Sequence, residues 1–130
     1  MPLPLEGIFV LDWTIWQQGP VCSSMLGDMG ADVIKIEQAG TGDPGRWLLA
    51  AGGHSAEDRP NWYFEANNRN KRSLVLDLAD ERGAAILRRL VAGADVFVHS
   101  FRPGVAERLG IDDAALRGVQ PDLIHVSLTG

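Results

Sequence analysis

The sequence has one cysteine, Cys22, and three widely separated histidines, His54, His99 and His125. A lone cysteine excludes an intrachain disulfide framework and a thiolate metal cluster. The histidines give no ligand spacing, so no metal is expected. There is no apolar run of about eighteen residues that would suggest a membrane span. Met1 to Leu5 holds two prolines where a secretory leader would carry a charged and then an apolar stretch. These absences point to a soluble cytoplasmic protein with no membrane association. Positive charge is also short: 12 Lys and Arg stand against 17 Asp and Glu, a net charge of −5. That balance offers no general attraction for nucleic acid, though it permits a local anion site. Glycine is scarce where a dinucleotide fingerprint would need it. Between Trp13 and Pro20 only Gly19 is present, so there is no G-x-G-x-x-G. The glycines from Gly40 to Gly45 lack the lysine and hydroxyl of a P-loop. Neither an NAD nor an ATP site is supported.

What is present suits a folded domain. Of the 130 residues, 45% are apolar and four are tryptophan, enough for a substantial core. Gly7 to Trp13 reads as a strand, and Gly19-Pro20 opens a helix, because a first-turn proline lacks only an amide that would have had no helical partner. Val21, Met25, Leu26 and Met29 fall on one face of that helix. Asp32 to Glu37 reads as a second strand. Gly40 to Asn61 has no sustained period and reads as a long ordered loop, with one short helix around Arg46 to Ala51. Trp47, Trp62, Tyr63 and Phe64 are expected to pack its ends down. Alternation at 74, 76 and 78 predicts a strand from Ser73 to Leu78. Asp80 to Val91 is the clearest helix, with Ile86, Leu87, Leu90 and Val91 inward. A strand over Ala94 to His99, short helices near Glu107–Arg108 and Asp113–Val119, and a strand over Leu123 to Ser127 complete the pattern. The fold class is α/β, an open and mostly parallel sheet. The final strand lacks a crossover helix after it, so the sheet is expected to be incomplete at its C-terminal end.

Three places carry candidate chemistry. The turn after the first strand brings Asp12, Thr14, Gln17 and Gln18 to a helix N-terminus that favours an anion or a polarised oxygen; the plainer reading is that Asp12 and Thr14 brace the turn. Asn67 to Ser73 concentrates carboxamides with Arg69, Lys71 and Arg72, suited to phosphates or to solvent. His99 ends a strand, where structural hydrogen bonding is the simpler role. Cys22 reads as buried and inert, or half-exposed at the mouth of the crevice.

Leu5 to Asp12, Gly19-Pro20, Leu26 to Glu37, Gly42-Asp43-Pro44-Gly45-Arg46, Asn68 to Ser73, Leu76-Asp77-Leu78, Ala94-Asp95-Val96, Phe101 to Val105 and Ser127 to Gly130 occur in an order that covers nearly the whole chain. Together they resemble the N-terminal region of the family III coenzyme A transferases (CaiB/BaiF), the group of formyl-CoA and carnitine-CoA transferases. The resemblance implies that residues 1–130 are the N-terminal part of a large CoA-binding, Rossmann-like domain in a longer protein, an interlocked homodimer. Its substrates would be coenzyme A or an acyl-CoA and a small carboxylic acid. The family nucleophile, an aspartate, lies beyond Gly130, so the chain by itself is expected to be inactive. The resemblance implies that this aspartate attacks the thioester to give a mixed anhydride and free CoA, that the CoA thiolate then displaces the donor acid to form an enzyme-bound thioester, and that the acceptor acid resolves it.

Residue by residue, the resemblance assigns Gln17 to positioning the thioester. It assigns Leu76, Asn70, Lys71, Arg72, Ser100, Phe101, Arg108 and Gln38 to the cofactor. Gln38 stands where the formyl-CoA transferases have an arginine, and Ser100 where an asparagine is common before the phenylalanine. Two alternatives stay open. One is an α-methylacyl-CoA racemase, whose histidine and aspartate would also lie downstream; the Asn68-Arg69-Asn70 spelling and the long loop favour the transferase. The other is a non-catalytic CoA-binding or partner-dependent fragment.

Overall fold

The computed structural model describes residues 1–48 and 60–128. Five strands form one sheet: β1 Phe9–Trp13, β2 Asp32–Gln38, β3 Lys71–Leu76, β4 Val96–His99 and β5 Ile124–Ser127. The spatial order is β3-β2-β1-β4-β5, and every neighbouring pair is parallel. Around the sheet lie α1 Gln18–Asp28, a 3₁₀ turn Pro44–Trp47, α2 Trp62–Asn68, α3 Glu81–Val91, α4 Val105–Leu109 and α5 Asp113–Arg117. Because β1 is central, the chain runs outward to β3 and then crosses back to β4. The direction of winding therefore reverses between β1 and β4, which is where open α/β sheets place a ligand crevice.

Each face of the sheet has its own core. Leu11, Trp13, Ile34, Ile36, Leu76 and Phe97 pack against Leu87 and Val91 of α3 and against Ala106, Ile111, Leu116 and Leu123. On the other face Val10, Ala31, Val33 and Val98 meet Leu26 of α1. This second face changes character along its length. The register sets Asp12 beside Lys35, and Lys35 beside Ser73. A row of charged and polar side chains thus continues the valine layer toward the C-terminal ends of the strands.

That row explains where α1 departs from its expected packing. Met25 and Met29 are exposed, and the buried residues are Gly19, Pro20, Ser23 and Ser24. The helix needs small groups there: a Cβ on Gly19 would sit 2.3 Å from Thr14 Cβ. Ser23 Oγ donates to Asp12 Oδ2 at 2.6 Å, and Ser24 Oγ donates to the Asn67 carbonyl at 2.6 Å. Only Leu26 serves the apolar layer. Cys22 is exposed.

Other boundaries shift as well. β3 begins and ends two residues earlier than the alternation suggested, because Lys71 and Arg72 pair with Val33 and Ile34 in register. Leu78 lies in the connection to α3. The helix α2 went unpredicted: Asn61 caps it, accepting from the Phe64 amide at 3.0 Å, and its aromatic and carboxamide residues have weak helical preference. Phe64 is buried, whereas Trp47 and Trp62 face outward. The helical turn expected over Arg46 to Ala51 is a 3₁₀ turn over Pro44–Trp47, and residues 49–51 lie outside the described part. So do His54 and the closing Thr129-Gly130.

Candidate ligand cleft and its buried ion-pair network

A cleft of about 470 Å³ opens at the C-terminal ends of β1, β2 and β3. Trp13, Ile36, Leu76, Leu78, Phe101, Val105 and Leu109 make it largely apolar, and Glu37, Gln38 and the Thr41–Pro44 loop supply polar groups. Trp13 and Phe101 meet edge to face with centroids 5.6 Å apart, which fixes the wall between β1 and the segment after β4. The size and apolar lining suit an organic ligand with a few oriented polar contacts.

Beneath the cleft two buried lysines neutralise two buried aspartates. Lys71 Nζ lies 2.8 Å from Asp12 Oδ2, and it also donates to the carbonyls of Pro20 (2.8 Å) and Asn67 (3.1 Å) and to Asn68 Oδ1 (3.0 Å). Asp12 further accepts from the Thr14 amide at 2.9 Å and from the Thr14 and Ser23 hydroxyls. Burial alone would raise the Asp12 carboxyl, but the Lys71 and Lys35 charges and the hydrogen bonds from Lys71 and Ser23 hold it below its ordinary value. Burial pulls the Lys71 ammonium down despite Asp12. Lys35 Nζ stands 2.8 Å from Asp43 Oδ2 and donates to the Thr14 carbonyl at 2.9 Å. Asp43 Oδ1 accepts from the amides of Trp16 (3.2 Å) and Gly45 (2.8 Å).

Glu37 forms the third centre. It receives two bonds from Arg46, at 2.8 and 2.6 Å, one from the Asp43 amide at 3.0 Å and one from Ser73 Oγ at 3.0 Å. The Arg46 guanidinium in turn lies 3.9 Å over the Phe64 ring. Burial would raise Glu37, but the Arg46 hydrogen bonds, the Asp43 amide, the Arg46 charge and Ser73 bring it from 4.5 to about 2. A depressed folded value means a contribution that is complete above 4.5 and disappears as pH falls toward about 2. Glu37→Gln is therefore expected to flatten the acid limb of the stability profile across that interval. Urea unfolding at a series of acidic pH values measures it, and an unchanged limb would assign the acid sensitivity elsewhere.

The residues proposed from sequence fall into three groups. Gln38, Leu76 and Phe101 line the cleft. Gln17, Ser100 and Arg108 adjoin it. Gln17 is the exposed N-cap of α1, and Ser100 Oγ accepts from the amide of cleft-lining Ile15 at 3.0 Å. Arg108 is exposed on α4 between the lining residues Val105 and Leu109. Asn70, Lys71 and Arg72 sit at the opposite end of β3 from Leu76. There Asn70 donates to Asp28 at 2.7 Å, Arg72 pairs with Asp32 at 2.6 Å, and Lys71 holds Asp12. Arg69 likewise pairs with Asp28. Asp12 and Thr14 brace their turn. His99 is buried, with Nδ1 accepting from the Phe101 amide at 3.2 Å, and burial next to His125 lowers its imidazole pKa. Sequence reasoning missed Lys35, Asp43 and Arg46. A lysine inside the apolar run Val33-Ile34-Lys35-Ile36 was the available signal, since a buried lysine demands a partner.

Among the described residues no group of three or more His, Cys, Asp or Glu is placed to hold a metal, and no helix is long and apolar enough to cross a membrane.

Known proteins resemble this arrangement in sequence and in shape. The chain is 40% identical over its whole length to a formyl-CoA:oxalate CoA-transferase of Afipia carboxidovorans, of which it spans 30%. It is 38% identical, over 98% of its length, to the succinyl-CoA:glutarate CoA-transferase of Mus musculus, of which it spans 28%. A crystal structure of a CaiB/BaiF family protein from Brucella suis superposes on the entire chain with a TM-score of 0.89 at 38% identity, and the chain covers 34% of it. Rv3272 from M. tuberculosis superposes on 98% of the chain with a TM-score of 0.87 at 39% identity, with 35% of that protein covered. The sequence pattern of CoA-transferase family III matches residues 5–130, and this chain belongs to that family.

Proposed function

We propose that residues 1–130 form the N-terminal part of a CoA-binding, Rossmann-like domain in a longer acyl-CoA:carboxylate CoA-transferase. The observation that carries this reading is the apolar cleft at the C-terminal ends of β1, β2 and β3, beside the winding reversal, which has Gln38, Leu76 and Phe101 in its wall and the Gln17 turn near its rim. An adenine ring or pantetheine arm gains from apolar burial there, while Arg108 on α4 offers a cation to a phosphate.

The buried acids of the described residues support a nucleophile located elsewhere. Asp12 and Asp43 are each tied to a lysine, and Glu37 to Arg46. A carboxylate committed to a buried ion pair is a poor acyl acceptor, because attack would spend the charge that its partner stabilises. The reaction would therefore use an aspartate outside residues 1–130, with this part holding the CoA moiety of donor and product. The acceptor would be a small carboxylic acid.

The test uses the full-length protein with two donor–acceptor pairs, formyl-CoA with oxalate and succinyl-CoA with glutarate. Transfer of CoA to the acceptor, together with at least about tenfold weaker CoA binding in Leu76→Glu, is the expected result. Exchange of the α-proton of a 2-methylacyl-CoA in D₂O without CoA transfer would establish the racemase instead. CoA binding without either reaction would establish a non-catalytic binding protein.

A further inference from the structure

Trp16 adopts φ 68°, one of two non-glycine residues with positive φ among the described residues, and its side chain is exposed. A bulky residue in the left-handed region is held there by its surroundings, and such strain gathers at ligand sites. Here the surroundings are four side chains, from β1, β2, the loop after β2 and the residue after β4. Asp12 accepts the Thr14 amide, and Lys35 donates to the Thr14 carbonyl. Ser100 accepts the Ile15 amide, and Asp43 accepts the Trp16 amide. Thr14 and Ile15 line the cleft, as does Asp43.

Side chains rather than secondary structure thus fix three successive peptide groups at the rim of the cleft. The last tether is the one that reaches Trp16. Asp43 can offer it because Lys35, buried with it, holds its other oxygen. The same Asp43 oxygen accepts the Gly45 amide, which joins the 3₁₀ turn to the β1–α1 turn.

We propose that Asp43, oriented by Lys35, is a positioning residue that locks the Thr14–Gln17 turn into its reactive placement against the ligand in the cleft. This rests on the CoA-transferase reading above. The role proposed for Asp43 is indirect. Its effect passes through the backbone of the turn, where a displacement of a fraction of an ångström is enough to cost rate.

Two charge-free variants of the full-length protein isolate the tether. Lys35→Met/Asp43→Asn keeps an acceptor for the Trp16 amide, and Lys35→Met/Asp43→Leu removes it. Replacing a whole buried ion pair avoids leaving a lone charge in the interior. The leucine variant is expected to lose at least about thirtyfold in kcat relative to the asparagine variant, with any rise in its Kd for CoA well below that factor. Equal kcat values, or an equal loss in CoA affinity, would overturn the proposal. Hydrogen exchange of the Trp16 amide in the unmodified protein gives a second readout that needs no variant to fold. Slow exchange is expected, and exchange as fast as a solvent-exposed amide would also overturn it. Should the unmodified protein neither bind nor transfer CoA, the functional reading fails while the Trp16 amide still decides whether the clamp exists.

Discussion

Replacing Lys71 by methionine is expected to cost about 3–5 kcal/mol of folding stability, the range for breaking a buried pair by removing one partner. The Asp12 carboxylate is fully buried, and without Lys71 its nearest compensating charge is Lys35, which is already committed to Asp43. The Pro20 and Asn67 carbonyls and the Asn68 carboxamide oxygen lose the same donor. Much of the loss therefore comes from groups left behind rather than from the contact itself. Lys71→Met/Asp12→Asn should recover at least half of it, because the carboxamide stays neutral and can still accept from Thr14. Denaturant titrations of both single variants and the double variant give the coupling directly. Additive effects, or a Lys71→Met loss below about 1 kcal/mol, would mean that water reaches the pair and that burial is not what makes it matter.

A second large effect is expected at Gly83. Alanine normally improves on glycine inside a helix by about 0.5–1 kcal/mol. Gly83 should reverse that sign. A Cβ built there stands 1.9 Å from the Asp77 carbonyl oxygen and 2.9 Å from its carbon, in the connection that carries β3 into α3. Backbone cannot rotate away as a side-chain tip could, so α3 and the Asp77 segment would have to separate. A loss of about 3 kcal/mol follows from overpacking of that severity. Because Asp77, Leu78 and Ala79 line the cleft, ligand affinity should fall with stability. Gly93 provides the control: the nearest atom to its Cβ is 3.9 Å away, and Gly93→Ala should change stability by no more than about 0.5 kcal/mol. Comparable melts for the two variants would remove the close approach as the cause.

The candidate site was legible from sequence only in part, and the divisions have physical reasons. Leu76 and Phe101 reach the cleft because they end or follow strands, and the C-terminal edge of a parallel sheet is where its ligands bind. Asn70, Lys71 and Arg72 made the densest polar signal, yet each meets an acid of the fold: Asp28, Asp12 or Asp32. Those partners lie 40 to 59 residues earlier in the chain. Local composition reports a basic cluster but contains nothing about the acids that folding brings opposite it. Lys35 illustrates the same limit in reverse. Its place in an apolar run marks it as buried, while the identity of Asp43 as its counter-ion depends on how the Gly40–Gly45 loop returns over β2.

The sequence by itself determined the order and kind of nearly every element, the parallel α/β class and the family. Short apolar runs and glycine or proline punctuation are local properties, and strand and helix periods follow from backbone geometry. Tertiary structure alone decided which face of α1 is buried, since the small residues Gly19, Ser23 and Ser24 outrank Met25 and Met29 only once Asp12 and Lys71 must be enclosed beneath them. It alone decided the pairing of Lys71 with Asp12 and of Lys35 with Asp43. A buried charge needs a partner within about 4 Å, and which distant residue comes that close is fixed by strand order and register.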